Sequence, residues 1–228
     1  HREIRVWVPA CATGEEAYSI AILLQKQIER TGREITFRIF ATDLDARAIE
    51  VASQGVYDAS IGHRMRPELL ARCFDANGDR YVVKRALRER VVFAVHDVTQ
   101  DPPFTRIDLV SCRNLLIYLR SELQAHVLDL IHFALAPKGY LFLGSSERPA
   151  AIEGRLESVD SERRLYRRSG ATSRPPRLRS LDHLLDAQAP RGDESDLLQA
   201  PAPSIQHMAV AERLVRRHAR FALLVDEH

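Results

Sequence analysis

Apolar runs with β-branched residues alternate along the chain with segments whose apolar positions recur at helical spacing. The first such unit is an apolar run at residues 5–8, a turn of small residues and a helical segment. This helix is predicted to begin at Glu15 and to close at Gly32, since glycine commonly follows a helix end. A strand, a small-residue turn and a helix in this order predict an α/β fold of the nucleotide-binding type.

Four further apolar runs predict the remaining core strands. They cover residues 35–41, 90–96, 107–112 and 140–144. Two further helices are predicted at 46–53 and 121–136. The second of these begins with a capping box of Ser121 and Gln124 and is ended by residues 137–139. Strands and helices therefore alternate as expected for a parallel sheet with helices on both faces.

Residues 56–90 are longer than the few residues that a parallel sheet needs between a helix and the next strand. Within them, 67–74 predicts a helix, 75–79 a hairpin turn and 81–84 a short strand. We expect a small inserted β subdomain. Its edge strand could pair with an extended peptide, or the insertion could be a solvated elaboration without a partner.

The last part of the predicted domain is a closing pair of antiparallel strands at 153–168. Four arginines there are expected on solvated positions: Arg163, Arg164, Arg167 and Arg168. The composition changes at Ser169, so that 1–169 forms the first domain and the proline-containing segment 170–203 is a linker. Residues 204–228 predict an amphipathic helix and the first strand of a further domain, as in a piece of a longer protein.

The composition excludes some classes of partner. The net charge is +2 with both signs plentiful, which gives no general case for binding nucleic acid or an acidic membrane surface. No apolar run approaches the roughly 18–20 residues of a membrane span. The three cysteines lie far apart, without metal-ligand spacing, and are interpreted as reduced thiols of a cytoplasmic protein.

The turn after the first strand distinguishes between classes of ligand. Gly14 is its one glycine, Ala10 and Ala12 hold the other small positions, and Glu15 and Glu16 follow at once. A phosphate cradle needs several glycines and no negative charge. The acids could also complement the dipole of the helix that they open. The turn therefore favours a cationic ligand such as S-adenosylmethionine, which carries a sulfonium and no phosphate.

Two aspartates follow predicted strands at the edge where such folds bind ligands. Asp43 is interpreted as the residue that accepts hydrogen bonds from a ribose diol, with a structural turn role as the alternative. Asp97 could accept from an adenine amino group or hold a turn. Asp45 is predicted to be a helix N-cap. His96 is interpreted as a hydrogen-bonding residue at a strand end rather than as a catalytic base.

Asn114 and Tyr118 follow the fourth strand, at the point where the winding of such a sheet reverses. They are therefore expected to face the reaction centre. Tyr118 has an alternative interpretation as a wedge in the core.

Five segments in order carry a family resemblance. They are ACATGEEAYSIA at 10–21, ATDLDARAIEVASQGVY at 41–57, HDVTQDPPF at 96–104, DLVSCRNLLIYL at 108–119 and APKGYLFLGSSE at 136–147. From Arg5 to Arg168 the chain resembles the CheR family of chemotaxis receptor methyltransferases, and is most similar to hybrid proteins that also contain a methylesterase and sensor segments. The segment 204–225 resembles the start of a PAS-like domain there.

This resemblance implies a class I S-adenosylmethionine-dependent methyltransferase fold, Rossmann-like, with a seven-stranded, mostly parallel sheet. In some members the inserted subdomain docks a receptor tail peptide. Family members also carry a helical domain before the first strand, and this chain is expected to begin after it. The implied cofactor contacts are Ala10, Gly14, Glu15, Asp43, Asp97, Val98, Asn114 and Leu115. Gly14 and Glu15 would line the methionine end, Asp43 the ribose, Asp97–Val98 the adenine and Asn114–Leu115 the sulfonium region.

The implied reaction moves the methyl group of S-adenosylmethionine to a glutamate carboxylate on the cytoplasmic helices of a chemoreceptor, giving a γ-methyl ester and S-adenosylhomocysteine. Asn114 and Tyr118 are the candidates to orient that carboxylate. A second hypothesis is a non-catalytic module that binds either cofactor form and regulates a signalling hybrid protein. A third, a nicotinamide-dependent dehydrogenase, is disfavoured by the missing glycines and by the acids at the helix start.

Overall fold

A computed structural model describes residues 2–170 together with 207, 210, 211, 213 and 214. The contacts divide these residues into two units. The first unit contains 2–4, 11–95 and the five described residues beyond 200, and the second contains 5–10 and 96–170.

Strands and helices alternate along residues 2–170. In chain order they are β1 (Arg2–Pro9), α1 (Glu15–Thr31), β2 (Ile35–Asp43), α2 (Ala46–Gln54), β3 (Val56–Asp58), α3 (Ser60–Arg64), α4 (Pro67–Cys73), β4 (Phe74–Asn77), β5 (Arg80–Val83), α5 (Arg85–Arg88), β6 (Val91–Val95), β7 (Ile107–Cys112), α6 (Ser121–Ala134), β8 (Leu135–Leu143), β9 (Leu156–Asp160) and β10 (Leu165–Arg168). Two 3-10 segments, Leu116–Tyr118 and Ala150–Arg155, complete this order.

Seven strands form one sheet in the order β6-β2-β1-β7-β8-β10-β9. The pairs β2–β6, β1–β7 and β7–β8 are parallel, whereas β10 is antiparallel to both β8 and β9. The order runs outward from β1 in both directions, which is the doubly wound arrangement. The predicted α/β fold with a seven-stranded, mostly parallel sheet is confirmed.

Helix α1 forms where its sequence predicts it. Its apolar residues recur at helical spacing and are buried, among them Ala17, Ala21 and Leu24 at 0% exposure. Gly32 adopts a left-handed conformation after the last turn and its N–H bonds back to Glu29 O. Helix α2 likewise begins after Asp45, whose side chain accepts from Arg47 N and so acts as the predicted N-cap.

The insertion contains a three-stranded antiparallel sheet in the order β3-β5-β4. The helix expected at 67–74 is α4. The hairpin turn is shorter than predicted, because Asn77 pairs with Arg80 and leaves only Gly78 and Asp79 in the loop. Residues 75–77 therefore belong to β4. Strand β3 was not predicted, since three residues are too few to carry an alternating pattern.

Two predictions about α6 are wrong. The side chain of Gln124 donates to Leu116 O and Leu119 O, and no side chain caps the helix start, so there is no capping box. The helix ends at Ala134, and β8 begins at the next residue. Residues 137–139 lie within β8, where the register with β7 shifts between Ile107 and Leu109.

The arginines of the closing hairpin are not all solvated. Arg168 is 4% exposed and donates to Leu135 O, and its burial lowers the pKa of the guanidinium. Arg163 and Arg167 are half-buried and pair with Asp160 and Glu157. The prediction of solvated positions is therefore wrong for Arg168, whose guanidinium binds a backbone carbonyl of β8.

Beyond residue 200 the described residues 207, 210, 211, 213 and 214 are helical. Four of them, His207, Val210, Ala211 and Leu214, are buried and share one helical face. Residues 171–203 of the predicted linker at 170–203, and the predicted apolar strand at 221–225, lie outside the described residues. No helix in the described part of the chain is long and apolar enough to span a membrane.

Candidate functional site

The turn between β1 and α1 is built from residues in the left-handed backbone region. Ala10, Ala12 and Gly14 have φ values of 55°, 46° and 89°. Residues other than glycine visit this region at a cost of about 1–2 kcal/mol each, because Cβ crowds the following carbonyl oxygen. Such strain clusters at ligand-binding sites, where small side chains let the backbone approach a ligand. The predicted small-residue turn is therefore a strained one.

Gly14 is required by packing as well as by its backbone angle. A Cβ atom at this position would lie 3.0 Å from Ala52 Cβ and 3.1 Å from the ring of Phe93. Gly14 also caps α1, since Tyr18 N donates to Gly14 O. The glycine thus lets the first turn of α1 lie directly against α2 and β6.

Asp43 braces the turn from the end of β2. Its Oδ2 accepts from Ala12 N at 2.8 Å and its Oδ1 accepts from Asp45 N at 3.0 Å. The structural turn role weighed against ribose binding is therefore real. Asp43 is half-buried and each carboxylate oxygen has two lone pairs, so both oxygens can accept a further hydrogen bond. Ribose binding by Asp43 stays a prediction.

Negative charge gathers around the turn. Glu15 accepts from Thr13 Oγ1 at 2.8 and 2.7 Å, which holds its carboxylate beside the turn at the start of α1. Burial raises the pKa of the Cys11 thiol to about 12, and the carboxylates of Asp43, Glu16 and Glu15 add to this effect. These three carboxylates give the turn a negative potential, which suits a cationic ligand and opposes a phosphate.

In the second unit, the predicted residues Asn114 and Leu115 are bound to Glu147. One Glu147 oxygen accepts from Asn114 N at 3.1 Å and from Gly144 N at 2.7 Å. The other oxygen accepts from Leu115 N at 2.9 Å and from Leu116 N at 2.8 Å. Glu147 is 3% exposed. This buried carboxylate binds three backbone N–H groups of the loop after β7 and one, that of Gly144, directly after β8.

The loop conformation depends on this carboxylate and on a glycine. Asn114 has a φ of 58°, a left-handed conformation that asparagine tolerates better than most residues. A Cβ atom at Gly144 would lie 2.7 Å from Glu147 Oε2 and 3.0 Å from Asn114 Oδ1, so that a side chain there would displace the Glu147 carboxylate from its backbone donors. Glu147 lies in one of the segments that carry the family resemblance, but the sequence pattern predicted no role for it.

Asp97 holds its own turn. Its Oδ1 accepts from the backbone N and the hydroxyl of Thr99 at 2.8 and 2.6 Å, and its Oδ2 accepts from Gln100 Nε2 at 2.9 Å. This confirms the turn interpretation of Asp97. The adenine contact of Asp97 and the neighbouring half-buried Val98 stays a prediction.

Tyr118 is not a core residue. Its side chain is 62% exposed, and the neighbouring Ile117 is 51% exposed. The interpretation as a wedge in the core is wrong, because the 3-10 segment that follows Leu115 directs this side chain to solvent. Its hydroxyl is accessible to a substrate, so that orientation of a carboxylate by Tyr118 stays a prediction.

His96 is a hydrogen-bonding residue at the end of β6. Its Nε2 lies 3.2 Å from Pro102 O, and a carbonyl can only accept, so this nitrogen carries the proton. The ring packs against Trp7 and Phe104 at centroid distances of 5.7 and 5.5 Å. These contacts confirm the structural interpretation and give no support to a catalytic base.

The structure thus joins the predicted residues into small groups. In the first unit, Gly14, Glu15 and Asp43 meet at one turn. In the second unit, Asn114 and Leu115 share the Glu147 carboxylate. Asp97 belongs to a separate turn at 97–101.

The sequence matches the model of a known family, described as the CheR methyltransferase SAM-binding domain, over residues 1–165. The chain belongs to this family. Its cofactor is therefore S-adenosylmethionine, and the carboxylates and left-handed small residues of the turn at 10–15 fit a cationic cofactor without phosphate. The predicted membership of the CheR family is confirmed.

Two relatives and one solved structure illustrate the similarity. An uncharacterized 104.1 kDa protein of Rhodobacter capsulatus is 40% identical over 190 residues, which cover 77% of this chain and 20% of the relative. Chemotaxis protein methyltransferase 1 of Pseudomonas aeruginosa is 39% identical over 152 residues, 64% of this chain and 55% of the relative. A TehB-like SAM-dependent methyltransferase of Corynebacterium glutamicum is 15% identical with a TM-score of 0.43, covering 74% of this chain and 79% of that one. The chain thus spans a fifth of the first relative and just over half of the second.

Proposed function

We propose that the protein containing this chain methylates glutamate side chains on the cytoplasmic helices of chemoreceptors, forming γ-methyl esters. The observation that carries the proposal is the braced turn at 10–15. It combines the left-handed Ala12 and Gly14 with the carboxylates of Glu15 and Asp43 in a member of the CheR family. S-adenosylmethionine, when bound, supplies the activated methyl group.

In the first unit, Asp43 is proposed to accept hydrogen bonds from the ribose hydroxyls, since both its oxygens keep a free lone pair beside their backbone donors. Gly14 and Glu15 are proposed for the methionine end. The Glu15 carboxylate carries the charge that would attract an ammonium group, and Thr13 holds it in place. Ala10, which belongs to the second unit and has a left-handed backbone, is proposed to let the cofactor approach closely.

In the second unit, Asn114 and Leu115 are proposed to bind the sulfonium region, and Asp97 and Val98 the adenine. The support for Asn114 is geometric. Its left-handed backbone is fixed by Glu147, so that its exposed side chain is presented at a defined position without further ordering.

The acceptor chemistry needs no general base from the chain. A glutamate carboxyl has an ordinary pKa of about 4.3, so that the nucleophile is already ionised at neutral pH. The chain has to hold this carboxylate in line and to remove its water. The exposed Tyr118 hydroxyl and the Asn114 amide are the groups proposed for this task. The absence of a proton-transfer step is consistent with a structural His96.

The inserted sheet β3-β5-β4 is proposed as a second contact with the receptor. Its outer strands β3 and β4 each pair on one side with β5. An extended receptor tail peptide could add to one of them by backbone hydrogen bonds.

The proposal is tested by methyl transfer from radiolabelled S-adenosylmethionine to receptor-containing membranes with the full-length protein. We expect label on the receptor that is released as methanol by mild base, as for a carboxyl methyl ester. The Asp43→Ala variant should lose most of this transfer. Binding of the cofactor without any transfer to receptor would contradict the proposal and favour the regulatory-module hypothesis.

A further inference from the structure

The inserted sheet makes a direct hydrogen bond to the turn at 10–15. Tyr57, in the middle of β3, donates from its hydroxyl to Thr13 O at 3.0 Å. Thr13 lies between Ala12 and Gly14, both of which have left-handed backbones. The carbonyl between these two left-handed residues is thus held by a side chain 44 residues further along the chain.

The Tyr57 hydroxyl keeps its proton. Burial raises the pKa of this phenol far above its ordinary value, and the Glu15 carboxylate adds to the effect. Because a carbonyl can only accept, the phenol must donate, and it can do so throughout the physiological pH range. Thr13 is held on both sides, since its own hydroxyl donates to Glu15.

Aromatic contacts fix the position of this phenol. The Tyr57 ring packs edge-on against Tyr18 and Phe74, at centroid distances of 6.1 and 6.5 Å. Tyr18 in turn contacts Phe93 at a centroid distance of 5.5 Å, and Phe93 is the ring that a Cβ atom at Gly14 would crowd. The turn and the inserted sheet therefore share one aromatic cluster.

We infer that Tyr57 is a positioning residue for cofactor binding. It fixes the Thr13 carbonyl and thereby the left-handed backbone of Ala12 and Gly14 next to the cofactor. This inference rests on the proposed function, in which that turn binds S-adenosylmethionine. It gives the inserted sheet a role in cofactor binding that is separate from docking a peptide.

The test compares Tyr57→Phe with Tyr81→Phe in the full-length protein. Tyr57→Phe keeps the ring and removes only the hydroxyl. Tyr81 is a matched control, because it pairs with Tyr57 across the sheet and contacts Phe74. Its hydroxyl makes no hydrogen bond within the described part of the chain. The measurements are calorimetric titration with S-adenosylhomocysteine, KM and kcat for S-adenosylmethionine, and thermal unfolding.

For Tyr57→Phe we expect the Kd for S-adenosylhomocysteine and the KM for S-adenosylmethionine to rise about three- to tenfold, the range that one hydrogen bond supports. The kcat should change less than about twofold, because the Tyr57 hydroxyl shapes the cofactor-binding turn and takes no part in the methyl transfer itself. Tyr81→Phe should leave all three constants unchanged.

Two results would overturn the inference alone. One is that the Tyr57→Phe variant binds S-adenosylhomocysteine with the same Kd as the wild-type protein, even if the variant unfolds at a lower temperature. The other is an equal loss of affinity in Tyr81→Phe. A wild-type protein that does not bind S-adenosylhomocysteine would instead overturn the proposed function together with this inference.

Discussion

Replacing Glu147 by glutamine tests how the Asn114 loop is held. Glutamine has the same shape as glutamate, but one carboxylate oxygen becomes an NH2 group. Each Glu147 oxygen accepts from two backbone N–H groups. Whichever way the new amide turns, its nitrogen faces two donors and cannot accept from either.

The expected cost follows from these lost contacts. A hydrogen bond to a charged acceptor contributes roughly 1.5–3 kcal/mol, so that losing two costs about 3–6 kcal/mol. The glutamine NH2 group should turn toward Asn114 and Gly144, because water can reach the exposed Asn114, whereas Leu116 is 2% exposed. Water then replaces one of the two lost acceptors, and we expect a cost at the lower end of this range, about 3 kcal/mol. This is a large part of the roughly 5–15 kcal/mol that stabilises a typical domain.

The assay is equilibrium urea unfolding, with S-adenosylhomocysteine affinity as a second measurement. Glu157→Gln is the matched control, because Glu157 pairs with Arg167 on the surface, where an ion pair contributes about 1 kcal/mol or less. Glu147→Gln should lower the unfolding free energy by about 3 kcal/mol and weaken binding, since Asn114 loses its fixed backbone. A loss no larger than that of Glu157→Gln would refute the role assigned to Glu147.

Three further predictions concern single residues. Gly14→Ala should lower the free energy of unfolding in urea by about 2 kcal/mol or more, because the new Cβ meets both a left-handed backbone and the Phe93 ring. The control Gly32→Ala has a left-handed backbone but open space around it, and should lower the same free energy by about 1 kcal/mol. Tyr118→Ala should change the free energy of unfolding by no more than about 0.5 kcal/mol, because the side chain is exposed, and yet reduce the rate of methyl transfer to the receptor. An unchanged transfer rate would show that Tyr118 is not part of the site. Cys11 should resist a thiol reagent at pH 8 in the native protein, because its pKa is raised to about 12 and the reactive thiolate is scarce. It should react quickly in urea. Peptide mapping that finds Cys11 labelled in the folded protein would contradict this prediction.

The elements that local chemistry specifies were predictable. Helix α1 begins at Glu15 and is closed by Gly32 as expected, because apolar periodicity and a left-handed glycine act within a few residues. The buried strand β7 has the predicted bounds for a similar reason, since four of its six residues are apolar and all six are buried.

Elements that depend on distant partners were not predictable. The segment 135–139 looks like a helix end followed by a proline-glycine break, yet Leu135 already pairs with Ile107 in the sheet. Arg168 looks like one more surface arginine, yet it binds the carbonyl of Leu135. In both cases the deciding contact lies about 30 residues away, beyond the range of any local pattern.

The candidate site shows the same division. The small residues of the turn and the acids after it were visible in the sequence. The left-handed backbones of Ala10 and Ala12 were not, because alanine adopts this conformation only at a cost in free energy. The role of Glu147 was not visible, because a side chain that accepts from backbone N–H groups leaves no residue-type signal on its partners. The hydrogen bond from Tyr57 to Thr13 was hidden for the same reason.

Calorimetric titration of the full-length protein with S-adenosylhomocysteine, and separately with NAD, tests most directly whether the carboxylate-braced turn selects a cationic cofactor over a phosphate-bearing one. The account predicts saturable binding of S-adenosylhomocysteine at sub-millimolar concentration, weakened by Asp43→Ala, and no saturation by NAD. Tighter binding of NAD, or no saturation by S-adenosylhomocysteine at millimolar concentration, would contradict it.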